Sequence, residues 1–169
     1  PVRDIEAFTK FQSGFLVFAN RGLAGIDGNI STVFGIAQEN KITNAIMGDL
    51  TFLHDVSALI NAPKENLRIF VIDNNGGGIF STLPQAGSNG FEQVFGTPHN
   101  LDLVRVISGF GVTVGRVSDL AGLELITSKP VNGFEVVVVE VPSREDNAQM
   151  LKEITQRVAS AVRIGINLA

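Results

Sequence analysis

The sequence predicts an α/β domain with a doubly wound, mostly parallel sheet that carries helices on both faces. Short apolar runs of strand length alternate along the chain with amphipathic stretches of helix length, which is typical of this architecture. Each connection between successive strand candidates is long enough for a right-handed βαβ unit. The 18 glycines favour tight turns between strands and helices. A length of 169 residues suits one domain, so we expect a single domain over residues 1–169.

The apolar pattern places the individual elements. Strands are expected at residues 15–19, 43–47, 67–72, 112–114 and 134–141. The last of these is rich in β-branched residues and too short for a buried helix. Helices are expected at residues 30–39, 52–60, 101–110, 120–127 and about 147–162. Residues 74–99 are rich in Gly, Asn, Ser and Pro, so this segment is expected to be a long functional loop or a disordered one.

Composition excludes several classes of protein. With 44% hydrophobic and 18% charged residues the chain has enough apolar surface to fold, which excludes intrinsic disorder. The net charge is −4 and the basic residues are scattered, so we expect no nucleic-acid partner. The lack of cysteine excludes disulfides, thiolate nucleophiles and Cys-ligated zinc, and fits a cytoplasmic protein. No apolar run approaches the roughly 20 residues of a membrane span, and no signal peptide is expected.

Polar clusters directly follow three of the predicted strands. They comprise residues 20–22, 48–49 and 73–76. In an open parallel sheet the carboxyl ends of the strands line the ligand crevice, so these clusters should meet in space. The helix expected to begin on residue 1 has no strand before it, which suggests that the chain is a piece of a longer protein.

Two of these clusters together indicate a cation and phosphate site. Asp49 ends one predicted strand, and Asn74 ends the next strand 25 residues later. A carboxylate, an amide oxygen and backbone carbonyls from a glycine turn are ligands suited to Mg²⁺ or Ca²⁺, and Mg²⁺ typically retains phosphate oxygens. Thr51 is predicted to be a helix N-cap, whose neighbouring N–H groups could face a diphosphate. The alternative is that Asp49 and Asn74 are ordinary strand-end caps.

Other motifs favour structural roles. The glycines within residues 22–28 match neither the dinucleotide-binding fingerprint nor a P-loop, so turn chemistry is the simpler interpretation. His54 and His99 have no paired nucleophile, and we expect them to cap or pack helices. Asp27, Ser31 and His54 lack the nucleophile-elbow context of a hydrolase triad.

Four motifs, read in order, resemble one family. They are residues 1–4, 20–28, 48–55 and 74–80, and together they resemble the C-terminal diphosphate-binding domain of MenD-type thiamine-diphosphate enzymes, the succinyl-enolpyruvyl-hydroxycyclohexene-carboxylate synthases of menaquinone biosynthesis. Leu50 agrees with this family, whereas Asp73 stands where the first Asn of an Asn-Asn pair is usual. The side-chain ligand is therefore either Asn74 or Asn75, and Asn74 is preferred for its two-residue step to Gly76.

The resemblance implies a set of cofactor contacts. Asp49, Asn74 and the Gly76 carbonyl would hold Mg²⁺, or Mn²⁺, on the diphosphate, and Ile26 would lie under the thiazolium ring. The full set implied to contact thiamine diphosphate is Ile26, Gly48, Asp49, Leu50, Thr51, Asn74, Gly76, Gly77 and Ile79.

The resemblance also implies substrates and a reaction. Arg3 and Arg21 would bind substrate carboxylates, while Ile79, Phe80 and Leu83 would line the substrate pocket. The implied reaction is decarboxylation of 2-oxoglutarate followed by addition of the resulting carbanion to isochorismate. From the residues alone, Arg3 and Arg21 could equally be solvated or salt-bridged surface groups.

No catalytic residue is expected within this chain. The resemblance implies that the activating glutamate comes from a pyrimidine-binding domain of another subunit, so the isolated chain should be inactive and the full-length enzyme a homodimer or homotetramer. One alternative is another carboligase or decarboxylase of the same cofactor class, similar to acetolactate synthase. The other is a non-catalytic module that binds a different phosphorylated ligand.

Overall fold

A computed structural model describes residues 1–10, 14–20 and 25–167, with side chains through residue 163. The chain divides into two compact units. The first unit comprises residues 1–73 and 101–141, and the second comprises residues 74–100 and the chain from Pro142 onward.

The first unit contains a four-stranded parallel sheet. The strands are β1 (Thr43–Gly48), β2 (Leu67–Asp73), β3 (Thr113–Val117) and β4 (Phe134–Glu140). Their order across the sheet is β1-β2-β4-β3, and every neighbouring pair is parallel. Gly48 pairs with Ile72 and Asp73 pairs with Glu140, so the carboxyl ends of β1, β2 and β4 lie along one edge. The predicted α/β class with a parallel sheet is confirmed.

Helices of the first unit connect and flank these strands. They are α1 (Val2–Phe8), α2 (Asn29–Gln38), α3 (Asp49–His54), α4 (Leu103–Ser108) and α5 (Leu120–Thr127), with a 3₁₀ turn at Val56–Asn61 after α3. The starts of α4 and α5 are fixed by aspartate caps: Asp102 accepts a hydrogen bond from the Val104 amide at 3.1 Å, and Asp119 accepts one from Gly122 at 2.7 Å.

Both faces of the sheet are covered, because alternate strand residues point to opposite sides. On one face the strands pack against α2, α3 and α4 through Ile30, Phe34, Phe52, Leu67, Ile69, Val71, Leu103, Ile107, Val136 and Val138. On the other face they pack against α5 through Phe70, Val117, Leu123, Ile126, Val137 and Val139. The continuous apolar run of β4 is therefore explained by burial on both sides.

The second unit orders the segment that was expected to be a loop. Residues Gly78–Thr82 form a 3₁₀ turn, Glu92–Gly96 form a single π-helical turn, and α6 spans Arg144–Asn167. The rings of Phe80 and Phe95 lie 5.5 Å apart, and those of Phe91 and Phe95 lie 5.8 Å apart. This aromatic cluster gives the segment its own small core.

Several predicted elements differ from the structure. The strand predicted at residues 15–19 is wrong: Phe15, Leu16, Val17 and Phe18 form no strand and are 57–75% exposed. An apolar run becomes a strand only where a neighbour pairs its backbone groups, which composition cannot reveal. The predicted helix at 52–60 is instead α3 followed by a 3₁₀ turn, with the break at Asp55. No helix among the described residues is long and apolar enough to cross a membrane.

Candidate functional site

The turn from β1 to α3 places Asp49 at the carboxyl edge of the sheet. Gly48 ends β1 in an extended conformation, and Asp49 is the first residue of α3 and only 2% exposed. The Asp49 carboxylate accepts a hydrogen bond from the Leu50 amide at 2.6 Å. Thr51 is not the helix N-cap that the sequence predicted, because α3 begins directly after the strand and Gly48 takes the cap position. Thr51 lies within the first turn instead.

A second carboxylate lies beside Asp49. Asp73 is the last residue of β2, the neighbour of β1, and oxygens of the two carboxylates lie within 4.8 Å of each other. The Asp73 carbonyl accepts a hydrogen bond from the Val141 amide at 3.1 Å, which holds this strand end in place. Two carboxylates this close, one of them buried, concentrate negative charge that attracts a cation. Carboxylate oxygens are ligands that suit Mg²⁺ or Mn²⁺.

The sequence motif assigns no role to Asp73, which departs from the Asn-Asn pattern, and predicts either Asn74 or Asn75 as the side-chain ligand. The position of Asp73 at a strand end could have indicated its proximity to Asp49, because its strand pairs with β1 and the two residues share one edge of the sheet.

The glycine turn of the second unit has no room for side chains. Gly76 has a φ of 130°, a conformation that favours glycine. A Cβ on Gly76, Gly77 or Gly78 would lie under 3.0 Å from other atoms: the carbonyl oxygens of Gly96 and Phe95 for the first two, and the Asn74 amide for Gly78.

Backbone hydrogen bonds fix this turn. The Gly77 amide donates to the Gly96 carbonyl at 2.8 Å, and the Gly78 amide donates to the Gly76 carbonyl at 2.9 Å. Gly77 has φ −77° and ψ 63°, so residues 76–78 form an inverse γ-turn. The buried turn therefore has one defined conformation.

The two asparagines before the turn have different surroundings. The Asn75 side chain donates to the Asn100 side chain at 2.9 Å and accepts from the Asn100 amide at 2.8 Å. Asn75 itself has a positive φ of 60°. The Asn74 side chain instead lies against Gly78 and is half-buried. Both the nitrogen and the oxygen of the Asn75 side-chain amide are therefore hydrogen-bonded to Asn100, and these bonds hold the loop.

Of the two arginines predicted to bind carboxylates, the structure describes Arg3. Arg3 is exposed on α1, two residues after Pro1, whose Cδ would lie 3.7 Å from a Cβ on Gly48 at the end of β1. Arg21 lies outside the described residues. Ile26 is half-buried just before α2.

The predicted pocket residues Ile79, Phe80 and Leu83 lie on and directly after the 3₁₀ turn of the second unit. Phe80 packs against Phe95, whereas Ile79 and Leu83 are 54% and 39% exposed. These side chains form an accessible apolar surface directly after the glycine turn.

His54 and Ser31 contact different aspartate side chains. His54 Nδ1 lies 3.0 Å from an Asp27 carboxylate oxygen on the surface. Asp55 accepts hydrogen bonds from the Ser31 amide at 2.8 Å and its hydroxyl at 3.3 Å, which caps the first turn of α2. This arrangement does not provide the linked nucleophile, base and acid of a hydrolase triad.

Comparison with known proteins shows the family. Residues 5–141 match the family described as thiamine pyrophosphate enzyme, C-terminal TPP binding domain, where pyrophosphate is the diphosphate named above. The chain is 38% identical over 172 residues to 2-succinyl-5-enolpyruvyl-6-hydroxy-3-cyclohexene-1-carboxylate synthase of Thermobifida fusca, with 96% of this chain and 30% of the relative covered. It is 41% identical over 165 residues to the synthase of the same name from Nocardioides sp., with 90% and 30% covered.

A third relative agrees with these two. The synthase of the same name from Lysinibacillus sphaericus is 36% identical over 172 residues, with 96% of this chain and 29% of the relative covered. The chain thus spans about 30% of the length of the curated relatives that it matches. The resemblance found in the sequence motifs is confirmed, and the chain belongs to the family of C-terminal thiamine-diphosphate-binding domains of thiamine-diphosphate enzymes.

Proposed function

We propose that this chain is the diphosphate-binding domain of a synthase that depends on thiamine diphosphate and Mg²⁺ and acts in menaquinone biosynthesis. The synthase decarboxylates 2-oxoglutarate and joins the remaining four-carbon unit to isochorismate. The single observation that carries the proposal is the buried Asp49 carboxylate at the carboxyl edge of the sheet, with Asp73 within 4.8 Å. The names of the curated relatives support the choice of reaction.

In this proposal the cation, Mg²⁺ or Mn²⁺, is held by Asp49, Asn74 and the carbonyl of Gly76. The engagement of Asn75 with Asn100 supports Asn74 as the side-chain ligand. The Gly76 carbonyl accepts a hydrogen bond from the Gly78 amide at 2.9 Å, and the turn that this bond closes gives the carbonyl a fixed direction. Asp73 adds negative charge beside Asp49, which strengthens the attraction for a divalent ion.

Backbone groups around the two turns hold the diphosphate. Gly48, Leu50 and Thr51 lie at the start of α3, where the first N–H groups of a helix lack a backbone partner within it, and the Leu50 amide also donates to the Asp49 carboxylate. Gly77, where a Cβ would meet the Phe95 carbonyl, contributes only its backbone to the diphosphate site. Ile26 and Ile79 provide apolar surface for the cofactor rings. The bound cofactor supplies the thiazolium carbon on which 2-oxoglutarate loses CO₂.

Arginines and apolar residues recognise the substrates. Arg3 and Arg21 pair with substrate carboxylates, because the guanidinium fork matches a carboxylate with two parallel hydrogen bonds. Ile79, Phe80 and Leu83 form the apolar wall of the pocket. The exposure of Ile79 supports this role, since a large apolar side chain is left uncovered at a position next to the glycine turn.

The chain completes its active site only with another subunit. A glutamate from a pyrimidine-binding domain activates the cofactor, so the isolated chain is inactive and the full-length enzyme works as a homodimer or homotetramer in the cytoplasm. This chain matches about 30% of the length of its relatives, which supports a longer protein whose other parts supply the remaining active-site residues.

Calorimetric titration of thiamine diphosphate tests the proposal. The titration is done in the full-length enzyme with and without Mg²⁺, on the natural protein and on Asp49→Asn, which keeps the side-chain size and removes the charge. We expect binding to require the metal and to weaken about 10- to 100-fold in the variant. Equal binding without metal, or unchanged binding by Asp49→Asn, would contradict the proposal.

A further inference from the structure

The start of α6 carries a buried arginine that the proposed function does not use. The Arg144 side chain is 9% exposed, and its NH2 lies 2.6 Å from Oε2 of Glu92 in the π-helical turn. This ion pair joins residues 52 positions apart in the chain, both within the second unit. Burying an arginine with a single carboxylate partner is costly, so its presence calls for an explanation.

The ion pair lies directly against the glycine turn. A Cβ on Gly96 would lie under 3.0 Å from both Arg144 NH1 and the Glu92 carboxylate, and a Cβ on Gly78 would lie 3.4 Å from Arg144 Cγ. The Gly96 carbonyl in turn accepts the hydrogen bond of the Gly77 amide at 2.8 Å. Arg144 therefore lies beside Gly78 and beside Gly96, whose carbonyl accepts the hydrogen bond that fixes Gly77.

The helix that carries Arg144 has a well-defined start. The Ser143 hydroxyl accepts a hydrogen bond from the Asp146 amide at 3.1 Å, which caps the helix start, and donates to the Asp146 carboxylate at 2.9 Å. Helix α6 also packs against the 3₁₀ turn at Gly78–Thr82. The Arg144 side chain thus extends from an anchored backbone toward the glycine turn.

We propose that Arg144 is a positioning residue, which with Glu92 holds the glycine turn in the conformation that presents Asn74 and the Gly76 carbonyl to the cation. The part that concerns the cation rests on the proposed function. The part that concerns the turn rests on the second unit alone. Removing the charge of Arg144 leaves Glu92 without its partner and allows Gly96 and then Gly77 to move.

The hydrogen-bonding pattern of the guanidinium predicts which substitutions preserve this role. NH1 has no hydrogen-bond partner within the described part of the chain, so the guanidinium contacts Glu92 through NH2. One ammonium group can replace a single contact of this kind, although not a bidentate one. Arg144→Lys should therefore keep the turn in place, whereas Arg144→Met, which keeps the apolar stem, should not.

Amide hydrogen exchange at Gly77 in the ligand-free 169-residue chain tests the structural part. We expect Arg144→Met to reduce the exchange protection of the Gly77 amide about tenfold or more. In Arg144→Lys the protection of this amide should stay close to its value in the natural chain. Arg157→Met, at an exposed position of the same helix, is the matched control and should leave the protection of Gly77 unchanged. Unchanged protection in Arg144→Met would overturn the proposal. If that variant does not fold by circular dichroism, Glu92→Gln replaces it with the same expectation.

Metal dependence tests the positioning part. We expect the Mn²⁺ concentration that half-saturates thiamine diphosphate binding in the full-length enzyme to rise about tenfold in Arg144→Met and to recover in Arg144→Lys. An unchanged half-saturating concentration despite lost Gly77 protection would overturn the positioning role. If the natural enzyme binds neither metal nor cofactor, the proposed function fails, and the exchange experiment still decides whether Arg144 holds the turn.

Discussion

Replacing Gly78 by alanine should weaken cation binding while leaving the fold intact. A Cβ on Gly78 would lie under 3.0 Å from Nδ2 of Asn74, whereas ordinary contacts begin at 3.4 Å. Arg144 Cγ would already lie at 3.4 Å from that Cβ, so an alanine there has little room to move toward Arg144. The Asn74 amide must therefore retreat by at least about 0.4 Å from its place beside the turn.

A shift of this size matters because Mg²⁺ demands near-ideal octahedral geometry at about 2.0–2.1 Å. We expect the affinity for Mg²⁺ or Mn²⁺, measured by calorimetry in the presence of thiamine diphosphate, to fall about 10-fold or more. Because Asn74 can rotate away, the cost to folding stability should stay at about 1–2 kcal/mol. Stability is followed by far-ultraviolet circular dichroism, since the chain has no tryptophan or tyrosine.

Gly35→Ala provides the matched control. Gly35 lies on the exposed face of α2, and a Cβ there meets no atom within 4 Å. This substitution should stabilise the chain by about 0.5–1 kcal/mol and leave cation affinity unchanged, because alanine is the better helix former. Metal affinity of Gly78→Ala within about twofold of the natural protein would refute the assignment of Asn74 as a ligand held beside this turn.

Three further predictions concern stability, specificity and activity. Arg68→Met removes a buried arginine that donates to Glu135 at 2.7 Å and to the Lys129 carbonyl at 3.2 Å, so urea unfolding should show a loss of about 2–4 kcal/mol. Arg116→Met, whose side chain is 43% exposed, should cost under about 1 kcal/mol, and equal losses would contradict the role of burial. Arg21→Ala should raise the KM for 2-oxoglutarate in the full-length enzyme far more than it weakens cofactor binding, and equal losses would count against carboxylate recognition. The isolated 169-residue chain should show no synthase turnover when both substrates, cofactor and metal are supplied, and measurable turnover would disprove the need for a second domain.

The sequence predicted the fold class because hydrophobic period and run length are local properties. The run in β4 and the pattern of α5 are confirmed, since apolar side chains there satisfy burial on both sheet faces or along one helix stripe. The end of β1 before Asp49 is also confirmed. The strand predicted at residues 15–19 failed because strand formation depends on a pairing neighbour, which is a non-local property.

Local sequence patterns could not predict several features of the candidate site. Thr51 resembles a helix cap by residue type, but the cap position was decided by where β1 ends, at Gly48. The proximity of Asp73 to Asp49 depends on which strands are neighbours. The ion pair of Arg144 with Glu92 joins the last helix to the segment predicted as a loop, and a separation of 52 residues leaves no sequence period to detect it.

Anomalous diffraction from Mn²⁺ in crystals of the full-length enzyme with thiamine diphosphate tests the central claim most directly. We predict one strong peak about 2.0–2.3 Å from a carboxylate oxygen of Asp49, the amide oxygen of Asn74 and the Gly76 carbonyl, with diphosphate oxygens completing the shell. A cation bound elsewhere, or a peak that Asp49 and Asn74 do not both contact, would contradict the claim that these turns hold the metal.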